Sequence, residues 1–269
     1  MSELAMRLWQ ARQTGAVIDP GSVALPATIE EAYAIQREIV ALSGCGVRGF
    51  KVGSTSLEAQ RLLGTTEPGS AALLEPYVHE SPAVIAISPP HRAAVEAEFA
   101  FKLARDLPPR AAPYAREEVA AAVGAVAGAI EVVGTRFAGG LAGKGRLLTT
   151  ADGGVNIAFV AGRWVTDWRA LDLPAHRVAM QVNGKTMGEG IGARALGDPM
   201  NVLLWLVNQQ SRLGRGLSAG EMVSTGTCTG VDVIHPGDRA IADFGTLGAV
   251  EIAFREFGEA KSTTSRGPA

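Results

Sequence analysis

Only two cysteines, Cys45 and Cys228, occur in 269 residues. Two are too few for a disulfide framework, and both sit in glycine-rich loop contexts that read as free thiols in a reducing compartment. Neither sign of charge dominates: 25 basic residues face 27 acidic ones, for a formal net charge of −2 and no basic block. That argues against nucleic acid or an anionic membrane as the main partner. No apolar run is long enough to span a bilayer, and the start, M-S-E-L-A-M-R-L-W-Q-A-R, has no signal-peptide core. The expected location is the cytoplasm. A Walker loop, a G-x-G-x-x-G fingerprint, a Ser-His-Asp order and a Cys/His cluster are all missing, and His79, His91, His176 and His235 lie scattered without ligand spacing. Several large enzyme classes fall away with them.

What the chain does have is apolar material and glycine. Hydrophobic residues make up 47% of it, enough for one large globular unit. Its 33 glycines, about 12% against a usual ~7%, cluster as G-C-G-V-R-G, A-G-G-L-A-G-K-G and G-T-C-T-G without a fixed period. Clustered glycines fit tight turns around a site better than a repeat protein. The first ~45 residues read as helical, with Thr28 and Glu31 at capping-box spacing, followed by a strand V-R-G-F-K-V-G and a short helix ending at Gly64. Beyond residue 70, short β-branched or aromatic-rich strands are expected over 83–87, 94–103, 129–135, 156–161, 177–182, 221–226, 239–243 and 247–254. Asn183-Gly184 marks a hairpin, and helices are expected over 116–128 and 199–213. Strands that outnumber helices without alternating with them predict an α+β fold. A soft boundary near 70 separates a mainly helical portion, 1–69, from a core, 70–257. The apolar-poor stretch 258–269 reads as a disordered tail.

Three acids stand out because their surroundings are apolar. Glu96 and Glu98 in A-V-E-A-E-F-A-F lie two apart, hence on one face of a strand, and Glu131 sits in A-I-E-V-V-G-T-R. Like charges on an apolar strand repel and are costly to bury. Three carboxylates on adjacent strands would form an all-oxygen pocket suited to Mg²⁺ or Mn²⁺, whose charge would stabilise all three ionised acids. The plainer alternative puts one glutamate in solvent and pairs the others with arginines. Lys51, in G-F-K-V-G-S-T-S, could bind a carboxylate or donate a proton, or simply extend from a strand end. The G-T-C-T-G stretch from Gly226 could offer N–H groups to an anion or be an ordinary turn. Arg136 and Asp152 lie in polar, glycine-rich surroundings and could equally be surface charges.

In order, G-F-K-V-G-S-T-S with Q-R-L-L-G, V-E-A-E-F-A-F, A-I-E-V-V-G-T-R, G-D-P-M-N-V-L-L-W-L-V-N, S-T-G-T-C-T-G and A-D-F-G-T-L-G-A-V resemble one group. It is the 2-keto-4-pentenoate hydratase and 4-oxalocrotonate decarboxylase group of the fumarylacetoacetate hydrolase superfamily. The resemblance runs from about residue 28 to 254. It implies a mixed β-roll core with surrounding helices, and a divalent metal, Mg²⁺ or Mn²⁺, on Glu96, Glu98 and Glu131. It implies Lys51 at the reacting end of a small 2-oxo acid, with Asp152, Arg136, Thr225 and Gly226 around the substrate. It also implies a homo-oligomer and, for some members, association of decarboxylase with hydratase.

The sequence departs from the group's pattern in four places. Gly134 stands where an acid is common, and A-D-G-G-V-N replaces A-D-N-A-S-S. Gly69 replaces an acid after L-G-x-x-x-P, and G-D-P replaces G-H-P. The resemblance therefore implies a metal-dependent lyase, with hydration placed ahead of decarboxylation. Keto–enol isomerisation or C–C hydrolysis, the latter needing a His/Glu pair for which His79 and His91 are candidates, and a silent binding or scaffolding role are further alternatives.

Overall fold

The computed structural model describes residues 1–259. The disordered tail expected over 258–269 lies, from residue 260 on, outside the described residues. Six helices are present among them: α1 (Glu3–Thr14), α2 (Ile29–Ser43), α3 (Leu57–Leu63), α4 (Arg116–Ala122), α5 (Gly145–Ala151) and α6 (Pro199–Arg212). The strands are β1 (Val47–Gly53), β2 (Gly69–Leu74), β3 (Val78–Glu80), β4 (Ala83–Ile87), β5 (Ala94–Leu103), β6 (Val123–Val133) and β7 (Asn156–Ala161). They continue as β8 (Arg177–Val182), β9 (Lys185–Ile191), β10 (Met222–Thr227), β11 (Asp232–Val233), β12 (Arg239–Asp243) and β13 (Ala249–Glu256).

Two mixed sheets result. The larger runs β2-β1-β10-β5-β6-β7-β3, with β11 on β5, and is antiparallel except for the β1–β10 and β3–β7 pairs. The smaller runs β4-β13-β12-β8-β9, with only β4 and β13 parallel. Period-two alternation sorts their side chains. Phe50, Val52, Val95, Ala97, Phe99, Phe101, Ile130 and Val132 join Met180, Phe244 and Ile252 of the smaller sheet in one continuous core. Burying aliphatic and aromatic side chains there, at ~1.5–3 kcal/mol each, is what holds the sheets together. The intervening residues of β1, β5 and β6 point to the opposite side, where α2, α3 and α5 lie over the sheet.

The helical start is a layer of its own. Leu4, Ala5, Leu8 and Ala11 of α1 pack with Ala32 and Ile35 of α2 and with Phe137 and Ala151. Half of the predicted capping box is present: Thr28 Oγ1 accepts from the Glu31 amide, while Glu31 Oε2 accepts from the Ala27 amide, one residue before the cap, rather than from Thr28. The boundary expected near residue 70 falls at the start of β2, which pairs with β1 along its whole length. The first 69 residues thus give the main sheet a strand, and that strand carries Lys51.

One expected helix is corrected. Of 116–128, only α4 is helical; from Val123 the chain is the first half of β6, paired with β5 and bridged at Val126 to Val165. Its small residues suit that position rather than a helix. A Cβ at Gly128 would lie 2.3 Å from the Phe244 ring, so the strand needs its glycine to fit against the second sheet.

Candidate active site

Lys51 on β1, Glu96 and Glu98 on β5 and Glu131 on β6 all project from the face turned away from the intersheet core. Glu96 and Glu131 are directly opposite each other in the ladder, and one oxygen from each of the three acids lies within 4.8 Å of the others. Glu98, Glu131 and Lys51 are buried; Glu96 is half-buried at the wall of a cavity of about 450 Å³. The same cavity is lined by Lys51, Ser54, Thr55, Leu62, Leu141, Arg146, Val155 and Gly226, among others.

Each buried acid has one anchored oxygen and one directed at the cluster. Glu98 Oε2 accepts from the Ser224 hydroxyl and from the Gly226 amide at 2.8 Å, while its Oε1 has no hydrogen-bond partner. Glu131 Oε1 accepts from Asn156 Nδ2 at 2.9 Å; its Oε2 has no hydrogen-bond partner and faces only the Lys51 ammonium, 3.2 Å away. Lys51 Nζ also donates to Gly154 O at 3.0 Å. Glu98 Oε1 is left bare, and three converging acids carry more negative charge than the one ammonium at Glu131 offsets, which is costly without a further cation. That donor set, all oxygen and anionic, fits a hard divalent ion.

Electrostatics agree with the geometry. Burial, then the neighbouring Glu131, pushes the Glu96 carboxyl up to about 7, against a pull downward from Lys51. Burial, Glu131 and Glu96 hold Glu98 well above the usual carboxylate range. For Lys51 burial alone would depress the ammonium, but Glu131, Glu96 and Glu98 together outweigh it and raise it above its ordinary value. The lysine is a retained cation, and the acids share too little positive charge.

Two glycines let the backbone reach this arrangement. Gly49 has φ +144°, and a Cβ there would sit 1.8 Å from Met222 O, so only glycine lets β1 approach β10 this closely before Lys51. Gly226 has φ +85°, and a Cβ would be 2.1 Å from Thr55 Oγ1; the turn aims its N–H at Glu98.

The structure brings together Lys51, Glu96, Glu98, Glu131 and Gly226, and it corrects the placing of three other residues. Thr225 alternates to the opposite face, buried, with Oγ1 donating to Phe99 O at 2.9 Å. Asp152 and Arg136 are not in the pocket wall but form a buried pair behind it, Arg136 Nε donating to Asp152 Oδ1 at 2.6 Å. Arg136 Nη1 donates to Asn156 O at 2.9 Å, as does Arg12 Nη1 at 2.6 Å, and Asn156 in turn holds Glu131. The G-T-C-T-G amides are occupied too: those of Thr229 and Gly230 donate to Thr227 Oγ1, leaving no anion nest. His79 and His91 line a separate cavity of about 900 Å³, and His91 Nε2 lies 2.7 Å from Ala16 O. Ser224, Asn156, Gly154 and Arg146 went unmarked as site residues in the sequence; polar residues at strand ends and in glycine loops give little signal.

The sequence model of the fumarylacetoacetate (FAA) hydrolase C-terminal family matches residues 74–255. The chain belongs to that family. Within it, a 2-keto-4-pentenoate hydratase of Paraburkholderia xenovorans (strain LB400) is 34% identical over 257 residues, 94% of each chain. A 2-hydroxyhexa-2,4-dienoate hydratase of Comamonas testosteroni is 30% identical over 257 residues, 93% of this chain and 96% of the relative. Among solved structures, 4-oxalocrotonate decarboxylase from Pseudomonas putida G7, complexed with magnesium and adipate, superposes with a TM-score of 0.83 at 25% identity, covering 93% of this chain and 95% of that one. The expected family and mixed-sheet α+β fold are borne out.

Proposed function

We propose that the protein is a divalent-metal-dependent hydratase of small 2-hydroxydienoic acids, of the 2-keto-4-pentenoate type. The observation that carries this is the three-acid cluster, with Glu98 Oε1 unpartnered and Glu131 Oε2 against Lys51, at the wall of the pocket. A Mg²⁺ or Mn²⁺ ion held by Glu96, Glu98 and Glu131 would supply Lewis acidity to the 2-oxo end of the substrate, lowering the cost of enolate charge there. Lys51, protonated at Nζ, binds the substrate carboxylate and is positioned to pass a proton at that end. The Gly226 amide and the Ser224 hydroxyl keep Glu98 from turning away. Asp152, Arg136 and Asn156 act as positioning residues for Glu131. In the overall change the enol proton is lost and the distal alkene carbon gains one. Water then adds its oxygen at C4 and a hydrogen at C3, giving a 4-hydroxy-2-oxo acid.

The likeness to the Pseudomonas putida decarboxylase favours a second reading, in which the same pocket accepts the electrons released as CO₂ leaves a 2-oxo acid. One experiment separates them: following the dienol absorbance of 2-hydroxypenta-2,4-dienoate with and without Mg²⁺. Metal-dependent loss of absorbance with formation of the hydroxy-oxo acid supports hydration. No metal-dependent change would overturn it in favour of decarboxylation. A homo-oligomer, association with a partner hydratase or decarboxylase, and a cytoplasmic site of action belong to the same proposal; light scattering of the purified protein tests the first. No helix among the described residues is long and apolar enough to cross a membrane.

A further inference from the structure

The pocket has two cations in its wall, and only one of them is neutralised. Lys51 lies against Glu131 and Gly154 O. Arg146, on α5, forms no ion pair with any described residue. Its Nη2 donates to Pro68 O at 2.5 Å and its Nη1 reaches Ser54 Oγ at 3.5 Å, while its buried Nε has no hydrogen-bond partner. A guanidinium N–H held from water without an acceptor is costly unless something supplies one.

The backbone makes room for this group. A Cβ on Gly69 would meet Nη1, Cζ and Nη2 of Arg146 at 2.5 to 2.6 Å, so the guanidinium lies against the bare backbone of β2. Gly69 is paired across the ladder with Gly53, where a Cβ would sit 3.3 Å from Lys51 Nζ. Lys51 and Arg146 therefore stand in the pocket wall one strand apart, Lys51 beside the acid cluster and Arg146 across β2, and the rest of the wall includes Leu62, Leu63, Leu141, Val155 and Val231. Such a pocket fits a short hydrocarbon chain with an anionic group at each end.

We propose that Arg146 is the specificity residue for the far end of the substrate, selecting 2-hydroxydienoic acids that carry a second carboxylate over their monocarboxylate analogues. The proposal rests on the 2-oxo-acid reading given above. A planar guanidinium takes a carboxylate through two N–H groups at once. A site built for such a group rejects the analogue that lacks it, because the half-buried cation is then left without an anion.

The test has two arms. In the first, kcat/KM with Mg²⁺ is compared for 2-hydroxyhexa-2,4-dienedioate and 2-hydroxypenta-2,4-dienoate. In the second, calorimetry compares adipate with hexanoate on the Mg²⁺-loaded enzyme, which needs no turnover. The expected preference for the diacid is about tenfold or more in each arm, as for loss of a charged hydrogen bond. R146M should erase most of that preference and R146K only part of it. G69D, which sets a carboxylate beside the guanidinium, should erase it as well and guards against a misfolded R146M. Equal binding of adipate and hexanoate, or a preference unchanged in R146M and G69D, overturns the proposal. If adipate is preferred and R146M erases that preference while neither dienol is turned over, the hydratase reading fails and the role of Arg146 stands. Hydration of the monocarboxylate in equal or greater measure, at a ratio R146M does not move, rejects the role of Arg146 and leaves the hydratase.

Discussion

Glu98 is fixed through Oε2 by Ser224 and Gly226 and presents Oε1 to the cluster, whereas Asn156 only holds a neighbouring acid in place. The two should fail differently. E98Q removes a charged donor and should weaken Mn²⁺ binding by more than a hundredfold. N156A should cost about 10–100-fold, the range for groups that orient a ligand. Calorimetry with Mn²⁺ checks the order, and equal losses would count against the asymmetric cluster. Lys51 should separate metal from turnover. Its ammonium competes for Glu131 Oε2, so K51M should bind Mn²⁺ at least as tightly as the wild type while losing at least about 100-fold in kcat, at the low end of proton-transfer contributions. The acids and the lysine were legible in the sequence because period-two spacing puts them on one face among apolar neighbours. Arg136 and Asp152 were not placed correctly, since a charged residue among glycines looks the same in a pocket wall as it does one layer behind. Thr225 was misread by a single residue of alternation: Ser224 and Gly226 face the cluster and it does not.

At the scale of elements, the strands bounded by Gly, Pro or Asp were read at or near their observed limits, including β4, β5, β7, β8 and β12. The first half of β6 reads as helix because A-A-A-V-G-A-V-A-G-A-I has the composition of one, and its pairing along β5 overrides that local preference. β2 and β9 are absent from the expected strands because each opens or breaks at glycine; the Asn183-Gly184 hairpin signal does mark the turn into β9, where Val182 pairs with Lys185. The β1–β10 pairing supplies a test. G49A would force a Cβ into Met222 O, a backbone atom that cannot swing aside, at a φ of +144°. The cost should be at least ~3 kcal/mol, the upper end for a backbone forced into a disfavoured region. Thermal unfolding should show a fall in Tm of several degrees together with loss of Mn²⁺ binding, because the close approach at Gly49 sets Lys51 and the neighbouring strand. A fully stable G49A would mean that the β1–β10 contact is looser than described.

For the whole molecule, the cluster links metal, proton and fold. The Glu96 carboxyl is raised from 4.5 to about 7, and Glu98 is held well above the usual carboxylate range in the same direction. A carboxyl raised in the folded state contributes stability that is fully present below its unfolded value and is lost as pH climbs through the folded one. The metal-free protein should therefore lose stability between about pH 4.5 and pH 7, by an amount on the order of a few kcal/mol. Lys51 does not reverse this, because its own raised value keeps it charged throughout that window. Mn²⁺ acts with the opposite sign. It binds the ionised acids, competes with their protons, and stabilises the folded state by RT ln(1 + [L]/Kd). Thermal scans of the metal-free protein and of protein with 1 mM Mn²⁺, at pH 5.5 and pH 8, should show an Mn²⁺-induced rise in Tm that is larger at pH 8. Below pH 7 the Mn²⁺ Kd should rise by up to about tenfold per pH unit for each proton displaced. An Mn²⁺ shift that is the same at both pH values would mean that the three acids do not titrate with the metal, and the cluster would then be a hydrogen-bonded feature of the sheet rather than a cation site.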